Sequence, residues 1–326
     1  MSNLARCTAV TAVVVISLSL LAVGAQAQSK YPGKPIRLLT PFAAGGGSDI
    51  LARLIGPHIT ESLGQPVVVD NRPGGGGVLG ADIAAHAVPD GYTLILVSGS
   101  YGANAALHDL SYDTVTGITP IILIGTTPLV LTLHPSVPVK SVSELIAYSK
   151  ANPKKLNIAS AGIGGLDHLA GELFKQQTGL IYTIVPYKGS GPAMTALLSG
   201  EVSGSMTTLV TSIPHVKSGK LRAIGVTTAK RSRALPDVPS IGETVPGYEV
   251  VHWYGLWGPK GLPRDIVTTW NREVAKVLRT SATEKWLEDQ GLEPAGGPPE
   301  EFANRLKADV AKWKKVVKEA HITINK

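Results

Sequence analysis

Cysteine is nearly absent from the chain, which has one such residue, Cys7, among 326. Cys7 lies near the N-terminus within a segment that reads as an export signal. Without that segment the protein has no cysteine, which excludes disulfides and thiolate metal sites. Its stability must therefore come from hydrophobic packing, and about 300 residues exceed one comfortable core, which predicts two lobes.

Motifs for catalysis and for cofactor binding are missing as well. No Gly-x-Ser-x-Gly elbow occurs, because the sequence Gly-Glu-Val-Ser-Gly at 200–204 misplaces the serine, and there is no Walker A motif. The eight histidines are dispersed and suggest no metal site. Residues 75–80 match G-x-G-x-x-G formally, but no carboxylate ends the strand predicted at 92–97. We expect no cofactor, no metal and no enzyme activity.

Charge gives little direction. Lysine and arginine number 31 against 24 acidic residues, a formal net charge of +7. No basic stripe with interleaved aromatic residues appears, so nucleic acid is not an expected partner. The lysines of the last predicted helix, 299–320, lie mostly away from its apolar stripe. They form either a solvated face or a contact for an acidic membrane partner.

The first 27 residues read as a cleaved export signal. Arg6 provides a short positive region, residues 9–23 are apolar, and Ala25-Gln26-Ala27 forms a cleavage site. We expect cleavage after Ala27 and a periplasmic location. The alternative is a retained membrane anchor, although the apolar run is short for a span of about 20 residues.

The remaining chain alternates strand, small-residue loop and helix. The apolar run at 36–41 predicts a buried strand, and a helix should follow from 49 to about 63 with Ser48 as its N-cap. The alternation continues to residue 97 and recurs between 129 and 227. It predicts an α/β protein with βαβ units and a parallel sheet.

A second block of the pattern begins near Pro128, and the apolar run at 221–227 reads as a strand that leaves it. We expect lobe 1 to comprise 28–127 plus 229–326 and lobe 2 to comprise 128–228. The last block contains an aromatic-rich strand at 248–257 and three helices. On that strand Trp253, Tyr254 and Trp257 fill a core by default, and one ring could instead line the mouth of a cleft.

Three loops share one construction, in which a strand leads through small residues to a helix start. They lie at 42–49, 98–104 and 160–168. Glycine allows the backbone to approach a ligand closely, and a helix N-terminus carries roughly half a positive charge and unpaired N–H donors. Loops of this kind from two lobes would form an anion site in the cleft without lysine or arginine.

Six motifs together resemble the substrate-binding proteins of tripartite tricarboxylate transporters, also called the Bordetella uptake gene family. In chain order the motifs are PFAAGGGSD at 41–49, VVDNRPG at 68–74, PDGYTL at 89–94, HLAGELF at 168–174, VPYKG at 185–189 and LPDVP at 235–239. The resemblance implies a type II periplasmic-binding-protein fold, in which two α/β lobes joined by crossover strands close on a ligand like a Venus flytrap.

The resemblance also implies that main-chain groups and bridging waters hold the ligand carboxylate. Asp49 would brace its loop or hold a water, because a bare carboxylate repels an anion. His168 starts a predicted helix, where packing is the default role. The candidate ligand-binding residues are Phe42, Ala43, Ala44, Gly46, Ser48, Asp49, Ser98, Ser100, Asn104, Ser160, Ala161, Gly162, Gly164, His168, Tyr187 and Thr207.

One departure from the family pattern bears on the ligand. Relatives usually carry carboxylates where this chain has Ser-Gly-Ser-Met-Thr-Thr at 203–208. If Thr207 lies in the cleft, no anion there is available for an α-ammonium group. We therefore expect a ligand without an amine, that is, a di- or tricarboxylate or an aromatic carboxylate.

The expected function is capture of a small carboxylate by a monomer that delivers it to membrane permease subunits. Two alternatives stay open. The closed protein could instead dock on a receptor kinase as a sensor, or the chain could be a secreted hydrolase, for which no motif speaks.

Overall fold

The computed structural model describes residues 31–153 and 155–322. The predicted export signal at 1–27 and its cleavage site lie outside the described residues. No helix in the described ranges combines the length and the apolar character needed to cross a membrane.

Strands and helices alternate as the sequence predicted. The strands of the described residues are β1 (Ile36–Thr40), β2 (Val67–Asn71), β3 (Thr93–Ser98), β4 (Ile118–Leu133), β5 (Asn157–Ser160), β6 (Thr183–Pro186), β7 (Gly204–Thr208), β8 (Arg222–Val226), β9 (Val251–Pro259) and β10 (Glu293–Pro294). The α-helices are α1 (Gly47–Leu63), α2 (Val78–Ala85), α3 (Ser100–Leu107), α4 (Val142–Ala151), α5 (Leu166–Thr178), α6 (Ser190–Leu198), α7 (Leu209–Lys217), α8 (Arg264–Leu278), α9 (Ser281–Asp289) and α10 (Pro299–Glu319).

The strands follow the order β2-β1-β3-β9-β4-β7-β5-β6, in which the long strand β4 belongs to two halves. The first half holds β2, β1 and β3 in parallel, and β9 runs antiparallel between β3 and β4. From Leu129 onward β4 pairs with β7 and β8, and parallel strands β5 and β6 complete the second half. Each of the strands β1, β3, β5, β6 and β7 is followed in the chain by an α-helix.

A second crossing returns the chain to the first half. Thr227, which is fully buried, donates its N–H to Leu129 O at 3.0 Å and its hydroxyl to Val250 O at 2.7 Å. The Leu129 N–H donates to the Thr227 hydroxyl at 2.9 Å. The predicted lobe boundaries at 127/128 and 228/229 fall close to these two crossings, and the division into lobes stays a prediction.

Helix α10 contributes to the cores of both halves. Phe302, Leu306 and Val310 pack with Trp253 and Trp257 in the core of the first half. Farther along the same helix, Trp313 is buried in the core of the second half. The apolar stripe predicted for this helix is therefore confirmed as core packing.

Local structure differs from the sequence expectation in three places. Residues 98–104 were expected to form a loop, yet α3 begins at Ser100, because small residues here allow the helix to pack against α10 and α5. Residues 204–208 form β7, which the polar sequence did not suggest. Ser48 is not an N-cap: α1 begins at Gly47, and Gly46 takes the extended capping conformation.

The buried carboxyl of Asp309 provides a test of this packing. It accepts a hydrogen bond from Trp253 Nε1 at 3.0 Å, and burial raises the pKa of Asp309. Asp309→Asn keeps an acceptor and removes a disfavoured charge, so we expect an equal or higher free energy of unfolding at pH 7. Asp309→Ala leaves the indole N–H unpaired and should cost about 1–3 kcal/mol, measured by urea unfolding.

The raised pKa of Asp309 also predicts how the free energy of unfolding changes with pH. A raised pKa means that the folded chain holds the proton more tightly, so this stabilisation is full below about pH 3.9 and is lost as pH rises. The advantage of Asp309→Asn over the wild type should therefore grow with rising pH. Equal destabilisation by both substitutions would show that the ionised carboxylate is the stabilising form.

Candidate functional site

A small cavity lies where the two halves of the sheet meet, outside the carboxyl ends of five strands. Its volume of about 20 Å³ has room for one water molecule. Ligands of α/β proteins bind at this end of the strands. The lining residues are Phe42, Gly46, Gly47, Ser48, Ser98, Ser100, Leu129, Ala161, Asp167, Ser190, Thr207, Thr208, His252 and Tyr254.

Five helices begin at this cavity. Helices α1, α3, α5, α6 and α7 each contribute a lining residue from the N-cap or the first turn. In none of the five helices does the N-cap residue cap the helix with its own side chain. Each N-terminus is equivalent to roughly half a positive charge and presents N–H donors. The cavity is thus suited to an anion through its backbone.

Among the described residues no lysine or arginine lines the cavity, and the ionisable groups of the lining are Asp167, His252 and Tyr254. Burial lowers the pKa of His252 to about 3, so its imidazole is neutral at neutral pH. Burial also raises the pKa of the Tyr254 phenol and keeps it protonated. The positive character of the cavity therefore comes from helix N-termini and not from side-chain cations.

Two polar atoms in the cavity wall lack hydrogen-bond partners among the described residues. They are His252 Nδ1 and Tyr254 Oη, on side chains that are 4% and 1% exposed. Thr208 Oγ1 lies near Tyr254 but without normal hydrogen-bond geometry, and it pairs with Thr211 Oγ1 at 3.0 Å. Since a buried unpaired polar atom costs about 1–3 kcal/mol, both atoms indicate a site that receives a polar guest.

Asp49 holds the first loop in shape behind the cavity. Its carboxylate accepts hydrogen bonds of 3.0 Å from Gly45 N, Arg53 Nε and Asn71 Nδ2. Burial acts to raise the pKa of Asp49, but the bonds from Arg53, Gly45 and Asn71 outweigh it and the pKa is lowered. The ionised carboxylate braces the loop, which is the role expected for it.

The second-half loop is tied to Asp167 and to α3. The Asp167 carboxyl accepts a hydrogen bond from Ala161 N, and Ser160 Oγ donates to Gly162 O at 3.0 Å. Across the cavity, Leu166 N donates to Ser100 Oγ at 3.0 Å. Because Leu166 starts α5 in one half and Ser100 starts α3 in the other, this bond joins the two halves at the site.

Glycines allow the loops of the two halves to touch. A Cβ on Gly76, whose φ is +61°, would lie 2.6 Å from the carbonyl oxygen of Ile163. A Cβ on Gly191 would overlap the carbonyl oxygen of Ala44. Nearby, Ala43 N donates to Lys188 O at 2.9 Å. The glycine-bearing turns of the two halves therefore touch each other beside the cavity.

Seven of the sixteen candidate residues line this cavity: Phe42, Gly46, Ser48, Ser98, Ser100, Ala161 and Thr207. The other nine surround it or lie elsewhere, and ligand binding by all sixteen stays a prediction. Ala44 and Tyr187 line an outer groove beside α6 and α7, and Gly162 lines a second outer pocket. Ser160 and His168 border an apolar void in the second-half core.

The remaining candidates serve the surrounding structure. Ala43 bonds to the second half as described, and Asp49 braces its loop. Asn104 Nδ2 donates to Gly76 O at 3.2 Å. Gly164 N donates to His168 Nδ1 at 3.2 Å, so this histidine orders its own loop.

Half of the lining residues lie outside the candidate set: Gly47, Leu129, Asp167, Ser190, Thr208, His252 and Tyr254. For Tyr254 the sequence left open a place at the mouth of the cleft. The alternation of strand faces could have found part of this set, because His252 and Tyr254 share one face of β9. Trp253, on the opposite face, is fully buried in the first-half core.

Asp167 corrects an expectation about the cavity wall. Residues 203–208 hold no carboxylate, and the sequence therefore suggested that no anion is available. The structure brings Asp167 into the wall from the first turn of α5. Its position two residues after a glycine N-cap is a signal that the sequence does contain.

Comparison with known proteins places these features in a family. Residues 51–322 match the tripartite tricarboxylate transporter family receptor. Protein BugT of Bordetella pertussis is 35% identical over 293 residues, which cover 89% of this chain and 90% of that protein. Over almost its whole described length the chain is thus similar to one group of receptors.

Solved structures show the same likeness. Rpa4515 of R. palustris, with adipate, has a TM-score of 0.86 at 39% identity, covering 90% of this chain and 99% of that one. MatC of Rhodopseudomonas palustris, with bound malate, has a TM-score of 0.84 at 34% identity, covering 88% and 100%. The predicted type II periplasmic-binding-protein fold is confirmed by these structures.

Replacing Gly191 tests whether glycine is what allows the halves to meet. Gly191→Ala favours α6, since alanine exceeds glycine in helix propensity by up to about 1 kcal/mol, but its Cβ would overlap Ala44 O. We expect a larger radius of gyration than that of the wild type in small-angle X-ray scattering.

Gly56→Ala is the matched control. Gly56 lies within α1, and its Cβ would meet Val67 Cγ1 at an ordinary 3.7 Å. This variant should keep the wild-type radius of gyration and equal or greater stability. An unchanged radius of gyration for Gly191→Ala would contradict the role assigned to this contact.

Proposed function

The chain belongs to the tripartite tricarboxylate transporter family of receptors, and on that premise we propose that it captures a small dicarboxylate, tricarboxylate or aromatic carboxylate in the cavity between its halves. The family are periplasmic solute-binding proteins, so the resemblance found in the sequence is confirmed. The choice of ligand, the site residues and the partner are the proposal.

The observation that carries the proposal is a cavity with helix N-termini, unpaired polar atoms and no side-chain cation. Five helix N-termini attract negative charge, and two buried atoms, His252 Nδ1 and Tyr254 Oη, make no hydrogen bond to the described residues. The protonated phenol is a donor suited to a carboxylate oxygen. Backbone N–H groups and neutral side chains would bind the anion through hydrogen bonds, without a positively charged side chain.

The proposed ligand class lacks an amine. Residues 204–208, which form β7 along the wall, carry no carboxylate to pair with an ammonium group. Asp167 is the one carboxyl among the lining residues, and burial raises its pKa, which weakens it as a partner for a cation. That Rpa4515 and MatC hold adipate and malate supports a dicarboxylate for this chain as well.

Binding would be coupled to closure and delivery. The cavity has room for about one water molecule, so a ligand enters when the halves move apart about the crossings near Leu129 and Thr227. A ligand that contacts both halves binds the closed arrangement better and shifts the population toward it. The closed monomer, freed of residues 1–27 by cleavage after Ala27, would then dock on membrane permease subunits. No covalent bond of the ligand would be made or broken during binding and delivery.

A ligand screen tests the proposal directly. The mature protein is heated with individual di- and tricarboxylates, aromatic carboxylates and amino acids, and the unfolding temperature is recorded. A ligand at 100 times its Kd adds about 2.7 kcal/mol to the stability of the folded state. We expect shifts with carboxylates that lack an amine. Shifts with glutamate or aspartate and none with dicarboxylates would overturn the ligand class.

Tyr254→Phe tests the cavity itself. Its hydroxyl is buried without a partner among the described residues, so the variant should unfold at the same or a higher denaturant concentration than the wild type, while carboxylate affinity measured by calorimetry falls. A hydrogen bond to a charged group contributes about 1.5–3 kcal/mol, which corresponds to roughly a 10- to 150-fold weaker Kd.

Tyr248→Phe is the matched control. Its hydroxyl donates to Ala170 O at 3.0 Å in the core of the second half. The expected pattern is reversed, with a loss of about 1 kcal/mol in stability and unchanged affinity. Unaltered carboxylate affinity in Tyr254→Phe would show that the ligand does not reach this cavity.

A further inference from the structure

Asp167 lines the cavity in which the proposed function puts a carboxylate, and it also borders the apolar void in the second-half core. The side chain is 8% exposed, and one of its oxygens accepts a hydrogen bond from Ala161 N. The lining residues include no lysine or arginine, and the pKa of His252, lowered by burial to about 3, leaves that imidazole neutral. An ionised Asp167 would therefore oppose a bound carboxylate without any side-chain cation between them.

From this juxtaposition we infer that Asp167 is a specificity-determining residue that is protonated when the ligand binds and donates a hydrogen bond to it. The inference rests on the proposed function. One proton passes from solvent to the Asp167 carboxyl, and the ligand carboxylate stays ionised. A proton shared between two carboxyl groups resolves the repulsion of like charges at short range.

The surroundings of Asp167 make protonation accessible. Burial raises its pKa, against the hydrogen bond from Ala161 N, which acts to lower it. The titratable groups that interact with Asp167 are His168 on its own helix and Tyr182 before β6. His252 and Tyr254 of β9 line the same cavity, while the charges of Glu172 and Lys175 act on His168. Burial also lowers the pKa of His168, so no imidazolium stands beside the carboxyl.

The inference has a consequence for recognition. A ligand that carries an ammonium group would favour an ionised Asp167, whereas a carboxylate or a hydroxyl favours the protonated acid as a hydrogen-bond donor. Asp167 would then select the charge of the ligand group that it faces. In a chain whose β7 lacks carboxylates, this single residue decides between the two classes.

Proton uptake is measured by calorimetry of the full mature protein with adipate and with malate. Titrations run at about pH 8.5, well above the ordinary aspartate pKa of about 3.9, in two buffers with different ionisation enthalpies. We expect the wild type to take up close to one proton for each ligand bound. Its Kd should weaken up to tenfold per pH unit between about pH 6.5 and 8.5.

Asp167→Asn and Asp309→Asn separate the site from other buried carboxyls. Asp167→Asn keeps an acceptor for Ala161 N and a donor for the ligand, so it should bind without proton uptake and without pH dependence. Asp309 is also a buried acid whose pKa burial raises, but it does not line the cavity, so Asp309→Asn should keep the proton uptake of the wild type.

The outcomes distinguish this inference from the proposed function. Carboxylate binding by the wild type with no proton uptake, or uptake that persists in Asp167→Asn, overturns the role of Asp167 and leaves the proposed function intact. Absence of carboxylate binding at every pH overturns the proposed function itself. The wild-type measurement remains informative even if one of the variants does not fold.

Discussion

The structure depends on bringing the positive ends of several helices together at one place without using a charged side chain. Helices α1, α3, α5, α6 and α7 each start at the end of a strand and each contributes to the same wall. The backbone supplies donors and partial charges at fixed positions, so no long side chain has to be ordered when a ligand arrives. A lysine there would bring a full charge on a flexible stem and would favour anions of many shapes.

This arrangement requires the main chains of the two halves to approach each other closely, and glycine residues allow that approach. At Gly76 and Gly191 a side chain would strike main-chain atoms of the opposite half, and Gly47 lies against the Tyr254 hydroxyl. Asp49 then fixes the first loop through bonds to Gly45, Arg53 and Asn71. Asp49, the acidic residue of this loop, thus has a structural role, and Arg53 balances its negative charge without any ligand.

The sequence predicts the framework well because its signals are local. The apolar runs, the glycine loops and the helix stripe of α10 follow from residues near one another in the chain, and the convergence of loops follows from parallel strands. The lining of the cavity is less accessible to such reasoning. His252 and Tyr254 come from β9, which returns from a distant part of the chain, and their facing depends on register. Strand β7 was missed because its residues are mostly small and polar. Its burial arises from the strands on both sides of it, β4 and β5, and not from its own composition.

If the halves close on a ligand as proposed, the unpaired atoms of the wall would make that closure selective for the chemistry of the ligand. In the arrangement described here, His252 Nδ1 and Tyr254 Oη are buried without partners, which costs about 1–3 kcal/mol for each atom. An open arrangement exposes both atoms to water and removes that cost. A guest that satisfies them removes it in the closed arrangement, and a guest of the wrong chemistry does not. In the proposed closure, the free energy would therefore depend on hydrogen-bond complementarity, and a ligand that bonds to both atoms would stabilise the closed arrangement most.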